Sequence, residues 1–254
     1  MTGVQTCALP ISSTIRQVLS HTTLVDGVPT FQYRASRYDL LTPAIEVCTG
    51  APLRQAYTDM LERLSMADSV PGQDAPRALA SAIASQNDLT QLRSELAARM
   101  ERYTRVLDRL ATPYSVDSQR RPSPSQYVSG TLTPATGLIS TVRDLAKFDL
   151  ALRRGILLRP ETTAAAWKPQ SGRDEKPLPH GLGWFVQTYR GEPVVWQFGL
   201  GENASSSLIV TLPARSLTFV LLANSSGLAK AFPLASGDLT VSPFGRVFLG
   251  FFVR

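Results

Sequence analysis

Residues 183 to 223 read GWFVQTYRGEPVVWQFGLGENASSSLIVTLPARSLTFVLLA. Four short apolar runs mark this stretch: Gly183 to Tyr189, Pro193 to Phe198, Ser206 to Leu212 and Leu217 to Ala223. Gly, Pro and Asn signals separate them, as between strands. The spacers are much shorter than the dozen or more residues that a parallel crossover needs, so the runs are expected to pair as antiparallel hairpins. Val241 to Val253 is amphipathic and reads as a closing helix.

Upstream of the strands the period is helical. Ser12 to Leu24 is expected to be a short helix, with Ile15, Val18 and Leu19 on one face. Asp26-Gly27-Val28-Pro29 is turn chemistry. A helix over about Leu40 to Cys48 should stop at Gly50, and Pro52 opens another whose stripe is Leu53, Tyr57, Met60, Leu61 and Leu64. Ser69 to Asp74 and Asp117 to Ser125 read as loops. The clearest helix runs from Asn87 to Leu110, capped by Asn87 or Asp88, with Leu89, Leu92, Leu96, Met100, Tyr103, Leu107 and Leu110 at intervals of three or four and Pro113 beyond its end. Thr141-Val142-Arg143-Asp144 opens a further helix that buries Leu145, Phe148 and Leu152 and ends at Gly155. The expected fold class is therefore α+β. Residues 12–136 form a mainly helical lobe, and residues 137–254 a helix, an antiparallel sheet and a C-terminal helix.

The chain has 254 residues, 43% of them hydrophobic and 18% charged, enough for a sizeable core. Its net charge is +6, but the 22 Arg and 4 Lys are scattered with no basic run, so the composition argues against a nucleic-acid partner. No apolar run is long enough for a membrane span. Cys7 and Cys48 form no metal or disulfide pattern, and Cys48 reads as a small buried hydrophobe. With two histidines and no carboxylate cluster beside them, neither a metal nor any other cofactor is expected. No two glycines lie four apart, which excludes the G-x-S-x-G nucleophile elbow. Residues 1–11, MTGVQTCALPI, carry no period and resemble adapter read-through; they are read as non-native and set aside.

Several segments, in order, resemble the β-lactamase-related serine hydrolases: class C β-lactamases, DD-carboxypeptidases and esterases. Thr14 to Thr23, TIRQVLSHTT, is similar to "tir-LLSHTSG". Phe31-Gln32-Tyr33-Arg34-Ala35 with Tyr38 and Leu40-Leu41 is similar to "F-x-Y-S-N…Y-x-L-L". Ile45-Glu46 to Gly50 resembles "iiE-x-x-tG", and Leu64 to Ser69 resembles "PLGM-x-dT". Pro134 to Thr141 with Asp144-Leu145 resembles "PAGGL-x-ST-x-x-DL". Gly181-Leu182-Gly183-Trp184 and Leu222-Ala223-Asn224 match sheet segments. The resemblance covers roughly Ser13 to Arg254 and implies a β-lactamase/transpeptidase-like fold, here expected to lack its N-terminal strands and nucleophile helix. It also implies a periplasmic or secreted setting.

The family's chemistry uses S-x-x-K on a helix, where one turn sets a lysine amine beside the serine hydroxyl it activates. It also uses Y-x-N and a strand motif, K-T-G or H-x-G. The residues three positions before the four lysines are Asp144, Ala165, Arg173 and Gly227, so S-x-x-K is absent from these 254 residues. In the family it precedes the "LLSHTSG" segment, and truncation is the expected cause. The resemblance makes Tyr33 the catalytic tyrosine, although Ala35 stands in place of the asparagine; a tyrosine merely packed between lobes is the other reading. It lands the strand motif on Gln197-Phe198-Gly199. Gln197 can hydrogen-bond a substrate but brings no charge, and Gly199 lets a substrate approach the backbone. Ordinary strand residues are the alternative there. In the resemblance His21 belongs to a helix end beside the site, outside the three elements, and reads as structural; His180 reads as a loop residue.

The function expected is amide or ester hydrolysis through an acyl-serine intermediate, by a chain that is inactive without its nucleophile. Its partner would be a small-molecule or peptide substrate. The alternatives are a non-catalytic peptidoglycan- or peptide-binding relative and, more weakly, a helical interaction protein resting on Asn87 to Leu110.

Overall fold

The computed structural model describes residues 13–25, 28–85, 93–119, 121–127, 131–172 and 175–254. The first eleven residues, Cys7 among them, and the Asn87 or Asp88 cap with Leu89 and Leu92, lie outside the described residues. Helix α1 (Ile15–Leu19) leads into a hairpin of β1 (Thr22–Val25) and β2 (Val28–Phe31). The helix expected to reach Leu24 is thus cut short. Thr22, Thr23 and Val25 are β-branched, and His21 takes a left-handed backbone (φ 53°) that ends the helix. The start is a full capping box: the Thr14 hydroxyl accepts from Gln17 N–H while the Gln17 side chain accepts from Thr14 N–H.

A 3₁₀ segment (Ala35–Leu41) runs into α2 (Thr42–Thr49), which stops at Gly50 in the left-handed region (φ 66°) as the sequence demands. Val18, Leu41 and Ala44 form the small core between α1 and this unit. That core covers only the first half of α2. Its last turn projects beyond it, so Cys48 is exposed and not the buried residue expected. Helix α3 (Leu53–Arg63) follows Pro52 and buries Leu53 and Leu61.

Two expected loops carry short strands. β3 (Val70–Pro71) pairs with β6 (Leu138–Ile139), and β4 (Tyr114–Val116) pairs with β5 (Pro122–Pro124). Both prolines lie on β5, a strand whose only ladder partner among the described residues is β4, so proline is tolerated there as on an edge strand. Two helices had no sequence reading: α4 (Ala75–Ser85), packed on α5 (Arg93–Asp108), and α7 (Pro160–Ala166). On α5 the buried side chains are Tyr103 and Val106. Helix α6 (Val142–Arg153) begins as expected, with Thr141 Oγ1 accepting from Asp144 N–H. Leu152 is buried, Leu145 and Phe148 only half so, and the same helix buries two carboxylates, Asp144 and Asp149.

The sheet is the antiparallel meander read from the sequence. β7 (Phe185–Tyr189), β8 (Glu192–Gly201), β9 (Ser205–Leu212) and β10 (Leu217–Ala223) lie in the order β10-β9-β8-β7. Register is set by Trp196 opposite both Phe185 and Val210, which keeps one face apolar along all three strands. Helix α8 (Pro243–Phe252) closes that face with Phe248 and Leu249. Between edge strand β10 and α8 lies an open apolar groove of about 500 Å³, lined by Phe219, Phe244, Val247 and Phe251 among others. Among the described residues, no helix is long and apolar enough to cross a membrane.

Candidate active site

The β1–β2 hairpin delivers Tyr33 to the middle of β8. Its hydroxyl donates to Gln197 Oε1 at 3.4 Å across 164 residues of sequence. Two of the three residues singled out from the sequence therefore meet. The third, Gly199, lies two positions further along β8 opposite Ser207; a Cβ there would come within 2.5 Å of the Ser207 hydroxyl. Ala35 is exposed at the start of the 3₁₀ segment and offers no polar group.

Gln197 is held from several sides. Its Oε1 accepts from Phe198 N–H at 2.9 Å as well as from Tyr33, and its Nε2 donates to Gly183 O at 3.0 Å. Gly183 N–H donates in turn to Leu19 O, so the loop before β7 ties α1 to β8. Gly181 must be glycine in that loop, because a Cβ would run into the Ala166 carbonyl at the end of α7.

Two histidines flank the tyrosine, and neither was expected at the centre of the site. His21 and His180 are both fully buried, with ring centroids 5.0 Å apart. The His21 ring lies 4.5 Å from that of Tyr33 and 4.6 Å from that of Tyr38. His180 is no ordinary loop residue: it bridges to Phe185 and packs against its ring at 4.8 Å. Burial disfavours the imidazolium, so His21 is held down to about 3 and His180 to about 4, the former also by the neighbouring His180 and Arg37. Both rings are neutral at physiological pH. Burial acts on the phenol in the opposite sense, pushing Tyr33 up to about 12 and Tyr38 up as well. His21 Nε2, His180 Nε2 and the Tyr38 hydroxyl have no hydrogen-bond partner among the described residues. Three such atoms in one seam are unusual for a folded interior. The sequence signal that could have found this cluster was the pair of histidines itself, one beside each segment that meets here.

A second buried polar cluster is fully satisfied. Asp144 Oδ2 accepts from Asp68 N–H (2.9 Å) and the Ser69 hydroxyl (2.8 Å), and Oδ1 pairs with Lys147 at 2.8 Å. The "PLGM-x-dT"-like and "PAGGL-x-ST-x-x-DL"-like segments are thereby joined. Asp149 accepts from Arg153 and from the hydroxyls of Thr211 and Thr218, which fastens α6 to β9 and β10. Among the described residues no group of three or more His, Cys, Asp or Glu is placed to hold a metal ion.

The fold finds its counterpart in comparisons with known proteins. The family model described as Beta-lactamase matches residues 12–237, and the chain belongs to that family. It is similar to the octameric penicillin-binding protein homologue from Pyrococcus abyssi, with 20% identity over 87% of this chain and 43% of that one, at a TM-score of 0.59. A D-stereospecific amidohydrolase from Streptomyces sp. is 18% identical over 94% of this chain and 72% of its own, at a TM-score of 0.62. A β-lactamase from Mycobacterium bovis is 18% identical over 100% and 79%, at 0.52. These likenesses show the fold. The chain spans 43% of the Pyrococcus protein and 52% of a penicillin-binding protein from Bacillus halodurans. No curated protein sequence matches at comparable stringency.

Proposed function

We propose that this chain supplies the substrate-facing wall of a serine hydrolase that cleaves an amide or ester through an acyl-serine intermediate, and that these 254 residues alone do not turn over. The supporting observation is the Tyr33–Gln197 contact, which sets a phenol and a carboxamide side by side where strand β8 meets the hairpin. In such a reaction a serine oxygen attacks the carbonyl, and the leaving nitrogen or oxygen needs a proton. Tyr33 is a phenol at neutral pH, so it is suited to donate that proton and not to remove the one on serine. Gln197 offers its amide to the substrate, and Gly199 keeps the strand open to it. The serine–lysine pair that would attack is not encoded here, since S-x-x-K does not occur.

One observation favours the second reading, a peptide- or peptidoglycan-binding relative without catalysis. Most of the Gln197 amide is engaged by the protein's own groups. Two measurements test the missing nucleophile and the role of Gln197. A chromogenic β-lactam and a nitrophenyl ester should show no turnover by the chain as it stands. D-phenylalanine amide, a small amide probe, should bind saturably and more weakly to Gln197→Ala. Hydrolysis blocked by a serine-reactive inhibitor would overturn the missing nucleophile. Equal binding to both forms would overturn the role of Gln197.

A further inference from the structure

The segment that carries Tyr33 hangs on a single residue. The backbone carbonyl of His21 accepts from Gln32 N–H at 2.9 Å. Its ring Nδ1 accepts from Arg34 N–H at 3.3 Å. The residues on either side of Tyr33 are therefore both anchored to His21, and the His21 ring lies against the Tyr33 ring. The left-handed backbone of His21 (φ 53°) is what turns carbonyl and ring toward the same strand end. A non-glycine residue persists there only where its surroundings hold it.

The hydrogen bonds also fix the protons. Nδ1 of His21 accepts, so its hydrogen sits on Nε2. Nδ1 of His180 lies 3.0 Å from the Gly181 carbonyl, which can only accept, so His180 carries its hydrogen on Nδ1. The two adjacent buried rings thus hold opposite tautomers, with a donor on one Nε2 and an acceptor on the other. Protonation of His21 would replace the Nδ1 acceptor with a donor and expel Arg34 N–H.

We infer that His21 is a positioning residue for Tyr33: as the neutral Nε2–H tautomer it clamps residues 32 and 34 and so sets where the Tyr33 hydroxyl stands against Gln197. This rests on the reading of Tyr33 as the proton donor. Its test, however, does not depend on turnover, so a chain that fails to hydrolyse or bind amides leaves the result interpretable.

The experiment combines side-chain ¹⁵N spectra of the histidines with amide hydrogen exchange in the full chain, in His21→Asn and in His21→Phe. Asparagine tolerates the left-handed backbone and places an oxygen where Nδ1 stood; phenylalanine keeps the ring and loses the acceptor. Spectra at neutral pH should show His21 as Nε2–H and His180 as Nδ1–H. Protection of the Arg34 amide should fall about tenfold further than that of the β8 and β9 amides in His21→Phe and move with them in His21→Asn. A merely structural role would lower all amides together in both variants. Overturning results are an Nδ1–H tautomer at His21, or Arg34 protection that tracks the sheet in His21→Phe. If His21→Phe does not fold, the tautomer and the rescue by His21→Asn decide alone.

Discussion

Two interiors meet at Phe185, and they are built on opposite terms. On one side, Trp196, Leu208, Val210, Leu212 and Leu249 form an apolar core that α8 closes. On the other, His21, His180, Tyr33, Tyr38 and Gln197 share a seam that is also largely withdrawn from solvent. The first interior is stabilised by area removed from water and is indifferent to protonation. The second is held by a few hydrogen bonds, one left-handed residue and rings that must remain neutral. The contrast separates what makes the chain fold from what forms the proposed site.

The largest expected effect lies in the apolar core. Trp196 is fully buried and stacked on Phe185 at 4.4 Å, so Trp196→Ala should cost about 3–5 kcal/mol in denaturant titration. A loss below about 1 kcal/mol would mean that the sheet face is not the main core. Asp149→Ala should cost less, about 2–3 kcal/mol, because Thr211 and Thr218 lose their acceptor while the partly exposed Arg153 can turn to water. The same assay, with α6 helicity followed by circular dichroism, checks it.

Of the two interiors, the seam is the one that should respond to acid. His21 and His180 have folded values held below the ordinary 6.5, so the unfolded chain takes up protons first as pH falls. Stability from keeping them neutral is complete above about 6.5 and is lost as pH falls toward about 4 for His180 and about 3 for His21. The expected slope is about 1.4 kcal/mol per pH unit for each histidine. Unfolding midpoints between about pH 7 and pH 4, compared with His21→Asn, measure it. A variant slope equal to that of the parent would show that His21 is not held neutral by the fold. The smallest effect belongs to Tyr33→Phe. The lost hydrogen bond is long, so stability should change by less than about 1 kcal/mol, while binding of an amide probe should weaken.

The two interiors were unequally legible in the sequence. The meander could be read because hairpin strands are local: Leu217–Ala223 was placed to the residue, and the other three strands to within a few residues. Tyr33 and Gln197 could be paired only through the family resemblance, since no local pattern links residues 164 apart. His21 was hidden by a helical period that ran across it. The periodic face Ile15, Val18, Leu19 is real, but the β-branched residues after it pair as a hairpin. Helix α7 left little trace because its seven residues PETTAAA carry no apolar stripe. Nothing local marked the two carboxylates of α6 as buried, because charge is ordinarily solvated and only tertiary partners reveal the exception.

In the proposed function the chain forms the wall of a hydrolase site without the serine that would attack. Intact-mass spectrometry after incubation with a β-lactam and with a nitrophenyl ester tests it most directly. The unmodified 27.6 kDa chain is expected at every time point. A stoichiometric acyl adduct on any serine would contradict it.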